Sequence, residues 1–102
     1  MVEKKYVLFF DKQAKKDKIN LERSNLKEKA RELVELIEKD PFGYPPPYKY
    51  LNGDMSHIVS RRINNQHRIY YTVDNETTLV DGEEYFVIRI LGMWTHYHEG
   101  NA

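Results

Sequence analysis

Two arginines, Arg62 and Arg68, flank the polar triplet Asn64-Asn65-Gln66. If that triplet is the loop of an antiparallel hairpin, the strand 57–63 returns as 67–73. Ile63 then pairs with His67, and Arg62 lies directly opposite Arg68 on one face of the sheet. Directly opposed like charges destabilise a sheet, so such a pair asks for compensation. A bound anion supplies it. A bulge that shifts the register, or an acid such as Glu83 pairing the arginines, are the alternatives, because a one-residue slip flips the faces.

Histidines 57, 67, 96 and 98 are the other titratable candidates. His96 and His98 share a strand face, but two histidines without a third obvious ligand make a weak metal site. A histidine near arginines is better suited to proton transfer, its ordinary pKa lying at about 6.5. A surface histidine with no role is the plainer reading. Tyr70, Trp94 and Tyr97 lie near the basic or histidine-bearing segments. Aromatic rings beside arginines suit unpaired RNA bases, which stack on them. There is no paired-carboxylate motif, no glycine-rich phosphate loop and no GxSxG. The absence of cysteine excludes thiol nucleophiles, disulfides and thiolate metal sites, and permits a reducing cytosol.

The elements that position these residues follow from periodicity. Residues 5–10 are aromatic and β-branched and read as a first strand. Lys12–Glu22 carries Ala14 and Leu21 one heptad apart among lysines, a weakly amphipathic helix. Asn25 followed by Glu28 has capping spacing and starts a second helix. Its stripe of Leu26, Ala30, Leu33, Val34 and Ile37 faces the core, and it stops before Asp40-Pro41. The run 41–48, rich in proline, reads as a stiff link from helix to sheet. A polyproline ligand is the other reading, disfavoured because the run is short and internal. Asn52-Gly53-Asp54 is a turn signal. Further on, 74–78 reads as a turn region, and Leu79-Val80 and 85–91 flank the hairpin loop 81–84. Gly92 marks a bulge before 93–97 continues the last strand. The order is β-α-α-β-β-β(-β), two helices on a small antiparallel sheet, an α+β fold in a single domain over 1–102. The apolar run 6–10 is too short for a membrane span or a signal sequence.

Sixteen Lys+Arg balance sixteen Asp+Glu. The balance hides a segregation: 1–40 carries net +2, 41–72 net +3 and 73–102 net −5. The basic middle holds Lys49, Arg61, Arg62 and Arg68 against Asp54 alone. A mixed solvated surface is the bland explanation, and an interaction surface the sharper one. A zero total predicts local rather than long-range attraction to a polyanion.

Five stretches carry a resemblance: Asp40-Pro41-Phe42-Gly43-Tyr44-Pro45-Pro46-Pro47-Tyr48, Leu51-Asn52-Gly53-Asp54-Met55-Ser56, Ser60-Arg61-Arg62-Ile63-Asn64, His67-Arg68-Ile69-Tyr70-Tyr71-Thr72-Val73 and Met93-Trp94-Thr95-His96-Tyr97. Together they resemble the Txe/YoeB toxins of the RelE superfamily, over nearly the whole chain. The resemblance implies a cytoplasmic endoribonuclease that cleaves mRNA, typically in the ribosomal A site, and halts translation. It implies no metal and no cofactor, and a partner antitoxin of the YefM/Phd type, with a homodimer also allowed.

Carried over by position, Arg68 matches the transition-state arginine and Arg62 a second phosphate-contacting arginine. Arg61, beside Arg62 in the same motif, is grouped with it as binding RNA phosphate. His96 matches the general acid and Tyr97 the terminal tyrosine that orients substrate. The family's general-base glutamate falls on Lys49, which is ordinarily cationic at neutral pH. That departure implies either that Lys49 stabilises charge or serves as base, or that the nuclease is weakened and keeps only fold and partner binding. The longer loop at 81–84, which concentrates acid near the RNA face, is a second departure.

Overall fold

The computed structural model describes residues 4–94. The first strand, β1 (Tyr6–Phe10), runs straight into helix α1 (Lys12–Glu22). Asp11 forms the junction: its backbone N–H donates to the Ile90 carbonyl at 2.9 Å, and its carboxylate accepts from the Lys12 N–H at 2.8 Å. Side chains that accept from free N–H groups favour helix starts. The buried positions of α1 are Ala14, Asp17 and Leu21, so the expected heptad stripe carries a carboxylate at its centre.

Helix α2 (Lys27–Lys39) buries Ala30, Leu33 and Ile37. It does not begin on an Asn25–Glu28 capping box. Leu26 holds the cap position without a side-chain bond. Ser24 does the joining instead: its hydroxyl donates to the Leu21 carbonyl at 2.8 Å and accepts from the Leu26 N–H at 3.1 Å. One hydroxyl that can donate and accept thus closes one helix and opens the next. The helix ends before Asp40, whose extended backbone fits the residue preceding a proline.

Four further strands complete the sheet: β2 (Lys49–Tyr50), β3 (Val59–Arg62), β4 (Arg68–Val80) and β5 (Glu83–Gly92), in the spatial order β1-β5-β4-β3-β2. The neighbours β2 to β5 are antiparallel, but β1 pairs with β5 in parallel, Tyr6 opposite Phe86 and Phe10 opposite Ile90. The α+β class stands and the purely antiparallel sheet does not. Hairpin signals are local, whereas the first strand takes its place beside residues about eighty positions away, which no turn residue encodes.

The region 74–78 is strand rather than turn. β4 continues through it, with a register shift between Val73, opposite Ile88, and Thr77, opposite Phe86. Asp74, Asn75 and Glu76 form that bulge, and Arg89 returns to Asp74 in a two-point pair at 3.1 and 3.2 Å. The hairpin loop closes with two residues, not four. Asp81 and Gly82 both have positive φ (52° and 84°), and Glu83 and Glu84 belong to β5. Paired positive φ values match the twist of the flanking strands. Near Gly92 the expected irregularity is present, as a register shift between Tyr70 and Tyr71.

The core lies between the helices and one face of the sheet. Val59, Ile63, Ile69, Tyr71, Ile88 and Ile90 meet Ala14, Leu21, Ala30, Leu33 and Ile37. No helix among the described residues is long and apolar enough to cross a membrane.

Candidate functional site

The site sits on the opposite face of the β3–β4 hairpin. Asn64 sets its turn: the side-chain oxygen accepts from the N–H of Gln66 at 2.8 Å and of His67 at 2.7 Å. The Ile63 N–H donates to the His67 carbonyl at 2.8 Å, which fixes the register. Arg62 then lies opposite Arg68, Ser60 opposite Tyr70, and on the other side of β3 Lys49 lies opposite Ser60. Because side chains alternate along strands, Lys49, Ser60, Arg62 and Arg68 share one face.

These four residues, with Pro46, Pro47 and Tyr48, line an open groove of about 320 Å³. Arg68 is half-buried, and its Nη1 donates to the Ser60 hydroxyl at 3.3 Å. Arg62 and Lys49 are exposed. Among the described residues the ion pairs are Lys5–Glu83, Arg31–Glu28 and Arg89–Asp74. Glu83 is therefore engaged at the far end of the sheet, and no described acid neutralises the groove. Three cations converge on a concave surface where an anion would be held.

Arg61 departs from its grouping with Arg62. It is buried, on the helix-facing side, and every donor group of its guanidinium is engaged. Nε donates to the Tyr71 hydroxyl at 2.8 Å, Nη1 to the Pro46 carbonyl at 2.6 Å, and Nη2 to the carbonyls of Pro41 and Gly43 at 3.0 and 2.9 Å. Tyr71 in turn donates to the Pro41 carbonyl at 2.7 Å. The guanidinium lies 4.8 Å from the Tyr48 ring centroid. Burial pushes the Tyr71 hydroxyl above the usual tyrosine range, and the Arg61 hydrogen bond and charge pull against it. Arg61 holds the proline-rich link against the sheet and does not reach the groove. Neighbouring residues of a strand point to opposite faces, so Arg61 and Arg62 cannot both serve one surface.

The other aromatic and histidine candidates divide. Tyr70 is buried and Trp94 half-buried, so neither ring is free for a base. Trp94 stacks on His67, ring centroids 4.0 Å apart and planes at 16°, and His67 Nδ1 meets the Trp94 carbonyl. Asp17 accepts from the Met93 N–H at 3.0 Å and from Gln13 Nε2 at 2.9 Å. Together these contacts fix residues 93 and 94. His96, Tyr97 and His98 lie outside the described residues. His57 is exposed and lines a separate hollow with Asp74 and Glu76. No group of three or more His, Asp or Glu with metal-site geometry occurs among the described residues.

Residues 41–48 act as the link from helix to sheet, and Pro46 and Pro47 also wall the groove. Ser60, Pro46, Pro47 and Tyr48 are groove residues that motif reasoning passed over. For Ser60 the signal was present, since it stands two residues before Arg62 and shares its face.

A family model described as "YoeB-like toxin of bacterial type II toxin-antitoxin system" matches residues 10–86. The chain belongs to this family. The match spans Lys49, Arg62 and Arg68, the cations of the groove. The YoeB-like toxin is 39% identical over 67 residues to Toxin YoeB of Synechocystis, an alignment covering 63% of this chain and 67% of the relative. The YoeB/ParE toxin from Agrobacterium tumefaciens superposes with a TM-score of 0.71 at 25% identity, over 88% of this chain and 98% of its own. The YoeB-YefM complex from Staphylococcus aureus gives 0.67 at 27% identity, over 91% and 99%.

Proposed function

We propose that this YoeB-like toxin is an endoribonuclease that cleaves mRNA on the translating ribosome in the cytoplasm. One observation carries the reading: Arg62 and Arg68 face each other on an open groove with Lys49, without a carboxylate partner among the described residues. In the proposed reaction the 2′-hydroxyl gives up its proton to solvent and attacks the adjacent phosphorus, closing a cyclic phosphate, while the bond to the 5′-oxygen breaks and that oxygen takes a proton from the general acid. Charge accumulates on the phosphoryl oxygens in the transition state, where fixed cations act most strongly. Arg68, braced by Ser60, and Arg62 supply those cations. His96 is assigned as the general acid for the leaving oxygen, and Tyr97 as an orienting group. Arg61 has no part in substrate contact.

Lys49, which lines the groove, favours a second reading, a weakened nuclease that binds its partner without efficient cleavage, on the assignment by resemblance of the family's general-base position to this residue. The first reading gives Lys49 a share of the phosphate charge. The Staphylococcus aureus relative is found with YefM, and we extend a YefM-type antitoxin partner to this chain on that basis.

Primer extension on mRNA after induction tests the proposal. Discrete cuts within translated codons are expected, absent from Arg68→Ala and His96→Ala. Intact mRNA and unimpaired translation after wild-type induction would refute it. Lys49→Glu separates the two readings: lost cleavage supports a working lysine, and a large gain supports the weakened nuclease.

A further inference from the structure

Four aromatic rings cluster where the groove is walled by Tyr48. Tyr48 lines the groove itself. Its ring centroid lies 6.3 Å from Phe42, 6.2 Å from Tyr44 and 6.1 Å from Tyr50. The planes are inclined at 59°, 68° and 81°, so no two of these rings stack face to face. Tyr44 is 71% exposed, Tyr50 50% and Phe42 41%. Packing does not require a cluster left so open, and contiguous exposed aromatic surface marks a binding site.

The cluster is also held still. Arg61 lies behind Tyr48, and its bonds to the carbonyls of Pro41, Gly43 and Pro46 fix the backbone from which Phe42 and Tyr44 project. A ring already immobilised loses little freedom when a ligand stacks on it. β2 is the edge strand of the sheet. Lys49 points to the arginine face and Tyr50 to the other, so the aromatic surface continues from the groove around the sheet edge.

We propose that Tyr48, Tyr44 and Tyr50 form a stacking platform for one or two unpaired nucleobases of an RNA strand whose phosphate occupies the Arg62–Arg68 groove. This rests on the reading of the groove as an RNA site and adds a base-binding subsite to it. A groove of cations that adjoins a cluster of aromatic rings at the sheet edge is a pattern that single-stranded nucleic acid fits, its phosphates on the former and its base faces on the latter. An acidic protein segment would satisfy the cations but leave the ring faces unmatched.

The test is binding by the full-length protein of an end-labelled 2′-O-methyl hexa-adenylate, which lacks the attacking hydroxyl, against the same backbone made abasic. The intact oligomer is expected to bind tighter by on the order of tenfold per stacked base. The Tyr44→Ala/Tyr50→Ala variant should abolish that preference, and Tyr44→Phe/Tyr50→Phe should retain it. Both pairs replace exposed side chains, and an unchanged melting temperature confirms the fold. Equal binding of the two oligomers, both lost in Arg68→Ala, overturns the platform and leaves the groove as an RNA site. Absence of binding by either oligomer overturns both. A double alanine variant that keeps the base preference, or loses only antitoxin affinity, also overturns the platform.

Discussion

Arg62 and Arg68 stand directly opposite one another across the β3–β4 hairpin, with their register unshifted and without an acidic partner among the described residues. Their repulsion is a cost of the folded state that a bound phosphate would offset. Arg68→Ala should lower cleavage by about 10²–10³-fold, the usual effect of removing a transition-state charge donor. Stability should hold or rise, by roughly 0.2–1 kcal/mol, as the like-charge contact disappears. Melting of wild type and variant, with and without inorganic phosphate, checks this: phosphate should raise the wild-type midpoint more.

Arg61→Ala should behave in the opposite way. It strands the carbonyls of Pro41, Gly43 and Pro46 and the Tyr71 hydroxyl. A loss of roughly 3 kcal/mol is expected from buried groups left without partners. Arg61→Lys should recover little, because an ammonium lacks the planar fork that reaches several acceptors at once. Urea denaturation gives the ranking.

Asp17→Ala removes the acceptor of the Met93 N–H from the buried stripe of α1. About 1–3 kcal/mol of stability should be lost with the orphaned N–H and the cavity. Asp17→Asn, which keeps an acceptor oxygen, should lose less. Hydrogen exchange at the Met93 amide reports the contact directly and should accelerate in the alanine variant.

Alkaline pH should loosen the link 41–48. The folded-state pKa of Tyr71 is raised, chiefly by burial, so folding favours its protonated form. The associated stability is complete below the ordinary tyrosine pKa of about 10 and is lost as pH rises through the folded value. Tyr6 is displaced in the same direction, by burial first and the Asp40 charge second. Tyr71→Phe should therefore reduce, without abolishing, the fall in melting temperature above pH 10, and should cost stability at neutral pH through the lost bonds to Arg61 and Pro41.

The hairpin bearing Arg62 and Arg68 was legible in the sequence because parity and a polar turn determine which residues face each other. The helix bodies were legible from their apolar stripes. Parity also separates Arg61 from Arg62, but that three carbonyls of the link converge on Arg61 is a tertiary fact that no local pattern carries. The bulge at 74–76 reads as a turn because its residues are polar, and only the continued pairing with β5 keeps it in the strand. The place of β1 beside β5 depends on a contact across most of the chain. The aromatic candidates Tyr70, Trp94 and Tyr97 stand near the basic or histidine-bearing segments in sequence, whereas the exposed rings packed on the groove's Tyr48 are those of Phe42, Tyr44 and Tyr50, a tertiary grouping.

Arg61 and Arg62 are consecutive, yet one is a buried clasp and the other a surface charge. A hairpin paired one residue out of step would exchange them, turning Val59 and Ile63 out of the core and leaving the carbonyls of the link without their clasp. The packing of the core and the choice of which arginine faces the groove are thus set by one and the same pairing. A copy that unfolds loses the groove with it, so whatever favours the unfolded chain also removes the cation surface without touching it.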